Sequence, residues 1–300
     1  MVKKLAFVLG GGGARGALQV GALHALLEAG IQPDLLVGTS IGAVNAVFLA
    51  MHGFTPKALD DLNTAWFAAA KADLFPASTT WLAMRVFFNR LHARPYQRLK
   101  GFFVSQGVSP DQHFSDLPHF PVVLVSSDLN NHRPVYYGGN PHDSVLEGLL
   151  ASTALPPWVH PIETGGRFLI DGGAISNLPI EPAIAHGATE VIALELTNTD
   201  DIDLNAHGFV SFLTKYLNTI EARQISLELE LARAKDVKVQ VVTLKTEMSI
   251  PTWDFSHTDE LIKCGYRITS QEIARWKHLR KRWWTGMIFH SDRTHLMDNS

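Results

Sequence analysis

A serine hydroxyl attacks a carbonyl efficiently only when a base removes its proton and nearby donors hold the negative charge that develops. The chain carries candidates for all three parts. Ser40 stands in Gly38-Thr39-Ser40-Ile41-Gly42, a GxSxG spelling between the apolar run 35–37 and the small, apolar segment 41–49. That context predicts a strand-to-helix turn, in which Gly38 and Gly42 let the chain bend sharply and leave the serine oxygen exposed. The helix N-terminus behind Ser40 adds positive potential where negative charge develops. A serine that only caps its helix reads the same way.

The donors come from Leu9-Gly10-Gly11-Gly12-Gly13-Ala14-Arg15-Gly16, which follows a short apolar stretch, 5–9, that reads as a buried strand. Free backbone N–H groups at a helix start suit an oxyanion. They suit a dinucleotide pyrophosphate equally, because Gly11, Gly13 and Gly16 also spell GxGxxG. The dinucleotide reading needs an acidic residue about 20 positions on, at the end of the second strand. Asp34 has the spacing, but it precedes the run 35–37 instead of following it.

For the base, Arg167-Phe168-Leu169-Ile170 delivers Asp171 into the turn Gly172-Gly173. A carboxylate can take the serine proton when its surroundings raise its proton affinity. Asp-Gly is also an ordinary hairpin pair. The rival is a triad in the order Ser, acid, His, for which His186, His207 and His257 stand downstream among 14 histidines. His186 falls near a predicted helix end, where a cation-capable side chain is favourable without catalytic duty. Asp128, after the strand-like run 122–125, reads as a cap at the sheet edge. Arg15 opposes the dipole of the helix it opens, so its side chain needs another partner.

Taken together, GGGARG at 11–16, GTSIG at 38–42 and DGG at 171–173, in that order, resemble the patatin-like phospholipases. The resemblance runs from about Lys4 to Leu196 and includes Ala151-Ser152-Thr153-Ala154-Leu155-Pro156-Pro157. It implies a three-layer α/β/α fold around a mixed, mostly parallel sheet. It implies a Ser40–Asp171 dyad without histidine, and an oxyanion hole from Gly11, Gly12, Gly13, Arg15 and Gly16. The expected activity is hydrolysis of carboxylic esters of phospholipids, lysophospholipids or related lipids through an acyl-enzyme, with no cofactor or metal. An acyltransferase using the same acyl-enzyme, or a non-catalytic lipid-binding module, is the alternative. Arg15 would then meet a headgroup phosphate, fix the glycine loop or pair with an acid. Many members begin the glycine motif with aspartate where Gly10 stands here, a change that leaves the loop's donors intact.

The elements that must position these residues alternate between strand-like and helix-like from residue 4 to about 242, which predicts one α/β domain over 1–300. A net charge of −3 offers no attraction for nucleic acid, and Cys264, the single cysteine, excludes an internal disulfide and any zinc-like Cys/His spacing. Lys3-Lys4 and the stretch 5–9 are too short for a signal peptide, and 41–54 falls short of a membrane span. A cytoplasmic protein is expected. Two regions could adapt the site to lipid. Residues 55–103 carry Trp66, Phe67, Leu74, Phe75, Trp81, Leu82, Met84, Phe87, Phe88 and Leu91, a density that suits a lid, an acyl channel or plain core packing. Residues 271–290 set Trp276, Leu279, Trp283 and Met287 at helical spacing among Lys277, Arg280, Lys281 and Arg282, which suits peripheral membrane contact or a closing helix. Asp200, Asp201 and Asp203 read as a solvated loop.

Overall fold

A strand that is apolar without interruption must be covered on both faces, and the stretch Leu5–Leu9 takes the place such a strand requires, at the centre of a sheet. The computed structural model describes residues 3–72, 94–197, 209–246 and 250–291. Along the chain, β1 (Leu5–Leu9) leads through a 3-10 turn, Gly13–Gly16, into α1 (Ala17–Glu28), and β2 (Leu35–Thr39) leads into α2 (Ile41–His52). The helices α3 (Pro56–Lys71) and α4 (Arg94–Ser105) follow, then β3 (Val122–Asp128), β4 (Arg133–Tyr137) and α5 (Val145–Ser152). Next come β5 (Ile162–Thr164), β6 (Arg167–Asp171), α6 (Ile180–Ala185) and β7 (Glu190–Leu196). The last elements are α7 (Phe209–Ala234), β8 (Lys238–Leu244) and α8 (Thr258–Ser291).

The sheet order is β5-β6-β3-β2-β1-β7-β8, with β4 also paired to β3. Strands β3, β2, β1, β7 and β8 are parallel, whereas β4 and β6 each pair antiparallel with β3, and β5 pairs antiparallel with β6. Successive side chains of a strand point to opposite faces. Phe7, Leu9, Leu36 and Leu124 accordingly join one core with α1, α2, α3, α5 and α8. Ala6, Val8, Leu35, Val37 and Val123 join a second core with α6 and α7. The result is the expected three-layer α/β/α arrangement on a mixed, mostly parallel sheet.

One detail of the pairing builds the site. The C-terminal half of β3, Leu124 to Asp128, is flanked by β4. On its other flank β2 pairs with residues 122–125 of β3 and stops at Thr39, and β6 takes over at Ser126, which pairs with Asp171. Strands β2 and β6 therefore lie end to end along one side of β3. Their C-terminal ends meet.

The helix at the C-terminus begins at Thr258, well before the expected 271, because a 3-10 turn, Phe255–His257, feeds directly into it. No helix among the described residues is long and apolar enough to cross a membrane.

Candidate active site

Because β2 and β6 converge, Ser40 and Asp171 face each other: Ser40 Oγ donates a hydrogen bond of 2.5 Å to Asp171 Oδ2. Ser40 adopts φ 55° and ψ −123°, a left-handed conformation that costs a non-glycine residue about 1–3 kcal/mol and persists only where its surroundings fix it. Those surroundings are buried hydroxyls. The Ser40 N–H donates to Ser152 Oγ at 2.9 Å, and Ser152 Oγ donates onward to the Val125 carbonyl at 2.6 Å. Ser126 Oγ donates to the Ile170 carbonyl at 2.8 Å, Ser127 Oγ to the Asp171 carbonyl at 3.0 Å, and Thr39 Oγ1 to the Ser176 carbonyl at 2.8 Å. Together they stitch the ends of β2, β3 and β6. Gly42 lets the elbow sit against β1, since a Cβ there would lie 2.0 Å from the Leu9 carbonyl oxygen.

Asp171 is 4% exposed. Burial raises its pKa from 3.8 to about 6, against the opposing pull of hydrogen bonds from Ser40 and from the Gly173 N–H, which reaches Oδ1 at 2.8 Å. The carboxyl is thus a stronger base than an exposed aspartate while remaining ionised at neutral pH.

The glycine loop has its own wiring. The Gly11 N–H donates to the Asn177 carbonyl at 3.0 Å, the Ala14 N–H to the Thr252 carbonyl at 2.8 Å and the Arg15 N–H to the Gly12 carbonyl at 3.3 Å. Gly16 closes the 3-10 turn, and its carbonyl accepts from Asn45 Nδ2 at 3.2 Å. Within the loop 10–16, the N–H groups of Gly12 and Gly13 make no hydrogen bond to a described residue. In a trans peptide the N–H points opposite the preceding C=O. The Gly11 carbonyl is drawn toward Asn177 Nδ2 at 3.5 Å and the Gly12 carbonyl toward Arg15 Nε at 3.3 Å, so the two open N–H groups turn the other way. Gly13 and Ser40 border the same cleft. Of the five expected donor residues, Gly11 and Arg15 have N–H groups already engaged and Gly16 sits at the end of the 3-10 turn, which leaves the open N–H groups of Gly12 and Gly13.

Arg15 is buried; it braces the Gly12 carbonyl, and its charge lowers the pKa of Glu221 on α7 against a larger upward push from burial. Asn177 Nδ2 also donates to Glu221 Oε1. Asn177 therefore ties the glycine loop to the segment that follows Asp171. Glu221, Asn177, Ser126 and Ser127 went unnoticed in the sequence. Two consecutive serines closing the apolar run of β3 were the available signal; Glu221 gave none, being one acid among several on a long helix.

The remaining candidates separate cleanly. Asp34 accepts from the Leu5 N–H at 2.8 Å, at the end of β1 remote from the glycine loop, so it is not placed to meet a ribose. Asp128 accepts from the N–H groups of Asn130 and Asn131 and caps its own turn. The His186 ring lies 2.8 Å from the Pro182 carbonyl, and His257 sits between Asp254 and Glu260. His207, Asp200, Asp201 and Asp203 lie outside the described residues, as do Leu74, Phe75, Trp81, Leu82, Met84, Phe87, Phe88 and Leu91. Trp276 packs partly buried against the main core, and the side chains of Lys277, Leu279, Arg280, Lys281, Arg282, Trp283 and Met287 lie outside what is described.

A cleft open to solvent runs from Ser40 between α2, α3 and α4. Its walls are almost wholly apolar. Trp66, Leu99 and Phe103 line it while also belonging to the core, so within residues 55–103 packing and channel are the same surface.

The family model described as patatin-like phospholipase matches residues 7–184. The mouse patatin-like phospholipase domain-containing protein 6 is 32% identical over 213 residues, covering 68% of this chain and 14% of that protein. Lysophospholipase nte1 of Aspergillus terreus is 27% identical over 301 residues, covering 92% of this chain and 18% of that protein. The chain thus spans less than a fifth of the length of these relatives. Among solved structures, VipD of Legionella pneumophila aligns with 90% of this chain and 66% of its own at 15% identity and a TM-score of 0.48. A family match that extends over well more than half of the residues and takes in both Ser40 and Asp171 means that the chain belongs to the patatin-like phospholipase family.

Proposed function

We propose that the chain is a serine acyl hydrolase acting on carboxylic esters of phospholipids, lysophospholipids or related lipids. The observation that carries the reading is the 2.5 Å hydrogen bond from Ser40, held at positive φ, to the buried Asp171 beside an apolar cleft. Ser40 Oγ attacks the ester carbonyl carbon as its proton passes to Asp171 Oδ2. The N–H groups of Gly12 and Gly13 hold the oxyanion. Collapse of the tetrahedral adduct breaks the ester bond, and Asp171 returns the proton to the leaving alcohol. Water then attacks acyl-Ser40, with Asp171 again taking and returning a proton, and the fatty acid leaves. The relative named lysophospholipase supports a lipid ester with an acyl chain as the substrate.

The test is labelling by a fluorophosphonate, mapped by peptide mass spectrometry and followed by hydrolysis of lysophosphatidylcholine. Label is expected on Ser40 alone, with activity falling in proportion to occupancy. Label on another serine, or full activity in the labelled protein, overturns the assignment.

The dyad also sets a pH dependence. Protonated Asp171 cannot take the serine proton, so kcat/KM should fall on the acid side with a midpoint of about 6 and by tenfold per pH unit below it. An activity that stays flat from pH 7 down to 5 removes Asp171 as the base.

A further inference from the structure

Ile41, Val44, Phe48 and Met51 follow one another at intervals of three, four and three residues, so they form one row along α2. These four are half-buried, whereas Gly42, Ala43, Asn45, Ala46, Leu49 and Ala50 around them are buried. The row is the half-buried face that α2 turns to the cleft, and all four residues line it together with the buried Val47. It begins beside Ser40 and runs for about 15 Å at 1.5 Å per residue. Leu99 and Phe102 of α4, and Gln106 in the turn just after it, border the same space at the same kind of spacing.

The two ends differ. At one stands the Ser40 hydroxyl. At the other, the Met51 methyl carbon lies 3.7 Å from where a Cβ would sit on Gly107, in the turn after α4, and Gln106 is one of the few polar residues bordering the cleft. Gly107 itself is exposed, so the apolar trough gives way to water beyond Met51.

We propose that the α2 row is a ruler for one unbranched acyl chain, which lies along Val44 and Phe48 with its carbonyl at Ser40 and reaches Met51 at about the twelfth carbon. This rests on the acyl-hydrolase reading. The length follows from an extended chain advancing about 1.2 Å per bond, as an extended backbone does. Each methylene that enters the trough leaves water, which is worth about fourfold in kcat/KM if the burial persists in the transition state. Carbons past Met51 gain nothing of the kind.

The experiment measures kcat/KM for saturated p-nitrophenyl esters from four to sixteen carbons, each below its micelle concentration, on the full chain and two variants. The parent should rise by about fourfold per methylene and stop rising near twelve carbons. Val44→Trp, about 6 Å along the row from Ser40, should stop the rise near five carbons. Met51→Ala, which removes the last apolar contact before water and leaves Phe48 as the end of the row, should move the stop inward by about three carbons. Melting curves establish that each variant is folded, and Met51→Ala alone decides the matter should Val44→Trp fail to fold. A stopping point that stays fixed in the folded variants, or a parent profile that climbs unbroken to sixteen carbons, overturns the ruler while Ser40-dependent hydrolysis stands. If no ester is cleaved and the fluorophosphonate leaves Ser40 unlabelled, the acyl-hydrolase reading falls and takes the ruler with it.

Discussion

Replacing Asp171 by asparagine is expected to lower kcat/KM by about 10⁴-fold, the upper end of what a positioned base contributes, and at the same time to stabilise the fold at pH 8. The loss follows from the hydrogen bond. An amide can keep its oxygen on the Gly173 N–H and turn its NH₂ toward Ser40 Oγ, which occupies the lone pair that should attack. The gain follows from burial. The folded pKa of Asp171, about 6, lies above its ordinary value of 3.8. A group raised in this way contributes stability that is fully present below pH 3.8 and lost as the pH rises through about 6. By pH 8 the loss is about 3 kcal/mol, and the neutral amide escapes it. At roughly 2 °C per kcal/mol for a chain of this size, the variant should melt about 6 °C above the parent at pH 8. The difference should close as the pH falls toward 4. Melting curves at pH 4, 6 and 8 with initial rates check both halves. A variant retaining more than a few per cent of activity would mean that the base lies elsewhere, and His186 and His257 would be replaced next.

This trade has a counterpart one bond away. Ser40 is held at positive φ and Asp171 is held in a site that disfavours its charge, so the two groups proposed for chemistry are both places where folding gives up stability. What holds them is apolar packing and a layer of buried hydroxyls behind the sheet edge.

That division explains what could be read from the residues. Strands β1, β2, β3 and β7 were legible because a strand buried on both faces must be apolar nearly throughout, and the partly exposed β6 and β8 by their shorter apolar runs. Strands β4 and β5 were not: β4 opens on Arg133-Pro134 and β5 has three residues, so neither carries a pattern distinct from a loop. Ser40 and Asp171 stood out because glycines announce the turns that hold them. Their meeting was legible only through the family resemblance, which implies the dyad. It depends on β6 running antiparallel to β3 in the register that pairs Asp171 with Ser126, a tertiary fact with no local signal. The donor loop was legible as a run of glycines, whereas which N–H groups remain open depends on Asn177 and Thr252, more than 150 residues away in the chain.

Gly13→Ala tests that last point, and it is expected to lower kcat by about 10²- to 10³-fold, the effect of removing one oxyanion donor, with little change in KM. Gly13 has φ +58°, and a Cβ there would lie 2.2 Å from the Thr252 carbonyl oxygen, the acceptor of the Ala14 N–H. The backbone on one side must move, and the Gly13 N–H moves with it. Loss of stability alone could mimic the result, since a left-handed alanine costs about 1–2 kcal/mol wherever it stands. Gly30 supplies the control: its φ is +72°, and nothing lies within 4 Å of its would-be Cβ. Gly30→Ala should therefore lower the melting temperature and leave kcat at the parent value. If the two variants melt alike and turn over alike, the Gly13 N–H holds no oxyanion, and the hole must be built from Gly12 and a donor not yet recognised. If only Gly13→Ala loses turnover at a comparable melting temperature, the loss is geometric, and the direction of that single N–H is what the distant Thr252 carbonyl helps to hold.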